Sequence, residues 1–119
     1  MTATDHAVSL IEAAARAASD KQATDLLAFD VSEQLAITDA FLLASASNDR
    51  QVKAIVDEVE DKLREIGAKP IRREGQREGR WVLLDYGEIV VHVQHDEERA
   101  FYALERLWSD CPVIPLTLT

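Results

Sequence analysis

A mixed α/β fold, with helices flanking a β-sheet, is what the order of elements in this 119-residue chain predicts. Two observations carry it. Val52, Ile55, Val56, Val59, Leu63 and Ile66 recur at spacings of three and four, as on the buried stripe of an amphipathic helix. Residues 81–85 and 89–93 are instead short β-rich runs joined through Tyr86-Gly87-Glu88, as in a strand hairpin. A chain of this length can bury a core without staples, and no linker, repeat or low-complexity tract divides it. One domain spanning 1–119 is therefore expected.

Taken in order, residues 4–19 predict a first helix: Thr4 can cap it, and Val8, Ile11, Ala14, Ala15 and Ala18 share a face. Leu26 to Val31 reads as a short strand, apolar nearly throughout, which predicts a central place in the sheet. Ala40 to Ala46 is a second apolar run whose length and neighbours favour a strand. Asn48 as N-cap with Gln51 three residues on resembles a capping box, and Gly67 supplies the stop for the helix between them. Residues 70–73 are extended, and Gly75 and Gly79 bracket a polar loop before the hairpin. Asp96 can cap a last helix, with Glu97 and Glu98 at the positive end of its dipole and Phe101, Leu104, Leu107 and Trp108 marking its buried face. Two prolines make the segment from Cys111 an irregular tail.

Composition narrows the function classes. No run approaches the roughly 18 apolar residues of a membrane span, and the N-terminus shows no signal or transit pattern, so a cytoplasmic location is expected. The net charge is −9, yet residues 69–80 carry +3 through Lys69, Arg72, Arg73, Arg77 and Arg80 against Glu74 and Glu78. So acidic a chain is a poor grip on nucleic acid, which is held by displacing counterions with Lys and Arg, and a good match for a basic protein surface.

Catalytic signatures are weak. His92, His95, Asp96, Glu97 and Glu98 suggest metal ligands only until strand alternation places His92 and His95 on opposite faces. Gly75 to Gly79 lacks the Lys-Ser/Thr ending of a phosphate loop and leads into a strand. Asp25, Asp30, Asp39 and Asp85 flank strands, but no Gly-Ser opening and no Asp-x-Asp pair supports a nucleotidyltransferase site. Cys111 stands alone and reads as a partly buried thiol. Neither an enzyme, a cofactor nor a metal is expected. Three aromatics look odd for structure alone: Trp81, alternating with Leu83 and Asp85 on one strand face; Tyr86 on the turn; and Tyr102, offset by about 100° from Phe101. Exposed aromatics among charges make protein-binding hot spots, although the same three rings can equally complete a small core.

These residues also carry a resemblance. Arg73-Glu-Gly75, Gly79-x-Trp81-Val-Leu-Leu-Asp85-Tyr86-Gly87-x-Ile-Val-Val-His92-Val93 and Glu98-Arg99-x-Phe-Tyr102-x-Leu104-Glu105-x-Leu107-Trp108 resemble the ribosomal silencing factor (RsfS, or Iojap) family. So do Asp30-Val31-Ser32, Ile37-Thr38-Asp39-x-Phe41 and Asn48-Asp49-Arg50-Gln51-Val52-x-Ala54-Ile55. The resemblance covers about 5–110. It implies a nucleotidyltransferase-like sheet without catalytic residues, and a translational repressor acting under nutrient limitation. Such a repressor binds the large ribosomal subunit through its fourteenth protein and blocks joining of the small subunit; self-association as a dimer is a further family trait. The partner-binding positions it implies are Trp81, Asp85, Tyr86 and Tyr102, with Arg80, Gln94 and Glu105 as neighbours.

Overall fold

The computed structural model describes residues 2–118. Five strands, β1 (Thr24–Asp30), β2 (Ala40–Ala46), β3 (Arg72–Glu74), β4 (Trp81–Asp85) and β5 (Ile89–His95), form one sheet in the order β1-β2-β5-β4-β3. β2 and β5 run parallel, and the other pairs are antiparallel. Helices α1 (Asp5–Asp20) and α2 (Asp49–Glu65) pack on one face of this sheet. The short helices α3 (Asp96–Tyr102) and α4 (Leu104–Leu107) lie toward the other. Among the described residues, no helix is long and apolar enough to cross a membrane.

Alternation divides the strands between two cores. Ala40, Leu42, Ala44 and Ala46 of β2, Val82 and Leu84 of β4, and Ile89, Val91 and Val93 of β5 pack against the alanine-rich stripe of α1 and the valine-isoleucine stripe of α2. The small residues of α1 let it lie close to both neighbours. Phe29, Phe41, Leu43 and Val90 point the other way and form a second cluster with Cys111, Leu104 and Trp108. Burial raises the Cys111 thiol pKa, as expected for an unreactive core thiol.

The caps of the first two long helices follow the expectation. The Thr4 side chain accepts from the Ala7 N–H, and Asn48 accepts from the Gln51 N–H at 2.8 Å. Gln51 reaches back to the Ser47 N–H rather than to the cap residue, and its amide donates to the carbonyls of Lys21 and Gln22, tying α2 to the end of α1. Ile66 is the C-cap of α2 and is exposed instead of extending its buried stripe.

Three further expectations need correction. β1 is an edge strand, not a central one. Its apolar run is explained by the tail, which lies along the outer edge: the Asp30 N–H donates to the Pro112 carbonyl and the Ile114 N–H to the Ala28 carbonyl. The last helix is not continuous. Ala103 adopts φ +44°, splitting it into α3 and α4, so that Phe101 and Leu107 are 75% and 72% exposed instead of buried. The break lets Arg99 of α3 and Leu104 and Trp108 beyond it all turn toward the sheet, which one straight helix would not allow. The cap of α3 is also His95, whose Nδ1 accepts from the Glu97 N–H at 3.1 Å, with Asp96 as first helical residue.

Candidate protein-docking site

The second core covers the β1–β2 side of the sheet and leaves the β4 side open. Cross-strand register aligns Trp81 with Gln94, Leu83 with His92 and Asp85 with Val90 on that face. Trp81, Leu83 and Asp85 are all half-buried there. Beside them Tyr102 is 52% exposed, with its ring centroid 4.8 Å from that of Trp81, and Phe101 stacks edge-on against Tyr102 at 4.9 Å. The rings continue inward: Trp81 Nε1 donates to His92 Nδ1 at 3.2 Å, His92 meets Phe41, and Phe41 meets Trp108. A row of aromatic rings thus runs from the second core to solvent.

Carboxylates and cations frame this row. Asp85 accepts the Gly87 N–H with Oδ1 at 2.8 Å, stabilising the hairpin turn, while Oδ2 lies 3.5 Å from Arg72. Arg80 is held by Glu97 at 2.7 Å and by Glu98 at 2.9 Å. These hydrogen bonds, Glu98 foremost, raise the Arg80 pKa and lower that of Glu98. His95, Glu97 and Glu98 each offer a potential metal-ligand atom within 4.8 Å of the others. The Arg80 guanidinium already occupies both glutamates, and the His95 Nδ1 lone pair is engaged in the helix cap, so the arrangement reads as an ion-pair knot. Arg73 likewise pairs with Glu60. Much of the local positive charge in 69–80 is therefore matched by carboxylates from α2, β4 and α3.

The expected site residues separate into three groups. Trp81 and Tyr102 meet on the open face, Asp85 lies at the other end of β4 on the same face, and Arg80 lies at its α3 margin. Gln94 sits beneath them, 0% exposed, with neither amide atom hydrogen-bonded among the described residues. Glu105 stands on α4, accepting from Arg99 at 3.3 Å. Tyr86 lies apart: being adjacent to Asp85 it points to the opposite face, where it is 8% exposed in the α1/α2 core and burial raises its pKa to about 12. Two buried side chains that support this face were not anticipated. His92 supports the Trp81 indole, and Arg99, 7% exposed, ties α3 to β2 through Ser45 Oγ at 2.8 Å. A sequence signal for His92 existed in the hairpin register, which places it beside Leu83 on the Trp81 face.

Comparison with known proteins agrees with this architecture. The family profile described as "Ribosomal silencing factor during starvation" matches residues 4–119. The ribosomal silencing factor RsfS of Bacillus subtilis is 44% identical over 108 residues, covering 91% of this chain and 92% of that protein. A crystal structure from Chromobacterium violaceum superposes with a TM-score of 0.82 at 34% identity, covering 85% of this chain and 84% of the other. One from Bacillus halodurans gives 0.80 at 38%, covering 91% and 98%. With the matching profile spanning nearly every residue and the same sheet recurring in solved structures, this chain belongs to the ribosomal silencing factor family.

Proposed function

We propose that the chain represses translation in the cytoplasm by binding the large ribosomal subunit through a basic ribosomal protein, its fourteenth, and sterically blocking small-subunit joining when nutrients are short. The observation that carries this reading is the open half of the sheet, where the Trp81 and Tyr102 rings meet at 4.8 Å over a half-buried strand that also carries Asp85. Aromatic anchors ringed by polar groups concentrate binding energy, and carboxylates steer and orient a basic partner. Steric occlusion requires no catalytic group, since a bound body at the subunit interface suffices.

A nucleotide-binding enzyme is the weaker reading. The open cleft between β1 and α3, about 610 Å³, presents Asp25, Asp96 and Glu105 against Arg99, which is already paired. That lining repels phosphate. Self-association through the same aromatic patch is a competing use of the surface, and light scattering of wild type and Trp81→Ala distinguishes it. The deciding experiment is sucrose-gradient sedimentation of the protein with mixed small and large subunits under joining conditions. Comigration with the large subunit and a smaller joined-particle peak are expected. Protein left at the top of the gradient with unchanged joining would reject the proposal.

A further inference from the structure

The Trp81 side chain emerges from a strand with one face to solvent, where an indole unsupported on that side samples several rotamers. Each mobile side chain immobilised on docking costs affinity, so a pre-positioned ring binds better than a free one. Here the ring is held at two points: Tyr102 packs against it at a tilt from α3, and its N–H reaches His92 across the hairpin. An indole nitrogen can only donate, so His92 Nδ1 must be the acceptor and its proton must reside on Nε2. The imidazole is itself fixed, buried between Phe41, which meets it edge-on at 5.5 Å, and the β4–β5 register that sets it beside Leu83.

We infer that His92 is a positioning residue for partner docking: its neutral imidazole locks the Trp81 indole in the orientation that the partner meets, without itself forming the contact surface. This rests on the proposed role of Trp81 as an anchor. Burial also keeps the ring in the acceptor form, lowering its pKa to about 4. A protonated ring would present N–H to N–H and release the indole.

Three variants test the assignment. His92→Phe keeps an aromatic ring and removes the acceptor. His92→Asn places a carbonyl oxygen near the position of Nδ1, and His92→Leu is its near-isostere without one. The readouts are the Trp81 indole N–H resonance with its solvent-exchange rate, and affinity for isolated large subunits by sedimentation. In His92→Phe the indole N–H should exchange faster and affinity should fall about tenfold, roughly what losing one hydrogen bond and its preorganisation allows. His92→Asn should bind several-fold tighter than His92→Leu, a difference that a purely structural role would not produce. An unmoved indole resonance in His92→Phe, or equal affinity of the Asn and Leu variants, overturns the inference; the Asn and Leu pair decides if the Phe variant does not fold. Failure of the wild type to bind large subunits would instead reject the proposed function, while the indole readout would still report whether His92 holds Trp81.

Discussion

Trp81 shows how one residue serves fold and surface at once. Its backbone pairs with Gln94 in the hairpin, while its ring stands half-exposed between His92 and Tyr102. Truncation to alanine removes the proposed anchor and leaves the α1/α2 core untouched. Trp81→Ala should therefore keep its circular dichroism spectrum while large-subunit affinity drops by about 2 kcal/mol or more, as hot-spot truncations do. Gly75 supports the same residue from behind. It has φ +85°, and a Cβ there would collide with the Trp81 carbonyl. Gly75→Ala should destabilise the protein by about 1–3 kcal/mol in urea unfolding and shift Trp81 fluorescence, because both the backbone conformation and the close approach oppose a side chain. The alternation of Trp81, Leu83 and Asp85 on one face was legible from the sequence, whereas the contrast of an exposed Tyr102 with a buried Phe101 was not borne out, since both rings are exposed. The same alternation, applied one residue further, separates Tyr86 from Asp85 and places it in the opposite core.

Among the elements, α2 was the most legible because cap, stripe and stop are all local signals. The break after α3 was not. Alanine is the strongest helix former, so nothing near Ala103 announces a left-handed residue. The cause is tertiary: Arg99 must reach Ser45 on β2 while Leu104 and Trp108 must cover Phe41. The edge position of β1 was hidden for a similar reason, since the tail that shields it is more than 80 residues away in the chain. Ser45→Ala leaves a guanidinium N–H of the buried Arg99 without its hydroxyl acceptor, which should cost about 1–3 kcal/mol of stability. Hydrogen exchange should then rise mainly in α3 and α4, with α1 and α2 keeping their protection.

For the whole molecule, pH and salt act through different groups. The folded His92 pKa, about 4, lies below its ordinary value of 6.5, so the unfolded chain binds the extra proton between those pH values. The stability linked to neutral His92 is complete above about pH 6.5 and is lost as pH falls toward 4, a loss of about 3 kcal/mol. The unfolding free energy of wild type minus that of His92→Phe, from urea titrations at pH 7 and pH 4.5, should accordingly become smaller at the lower pH. Salt should act on encounter instead. With a net charge of −9 and the proposed basic partner, association with the large subunit should slow as ionic strength rises, with a smaller change in dissociation rate.

The strand order has a consequence for synthesis. β5 occupies the middle of the sheet, yet it follows the other four strands in the chain and so is the last of the five to emerge. Until it emerges, β2 has no parallel neighbour, the β1–β2 pair and the β3–β4 segment have nothing to join them, and the stripes of α1 and α2 face an incomplete sheet. Vectorial emergence can therefore build helices and a first hairpin, but the cooperative core closes only when the central strand slots between the two halves. A nascent chain stalled before Ile89 should present apolar strands to chaperones, whereas one released beyond His95 can complete its sheet.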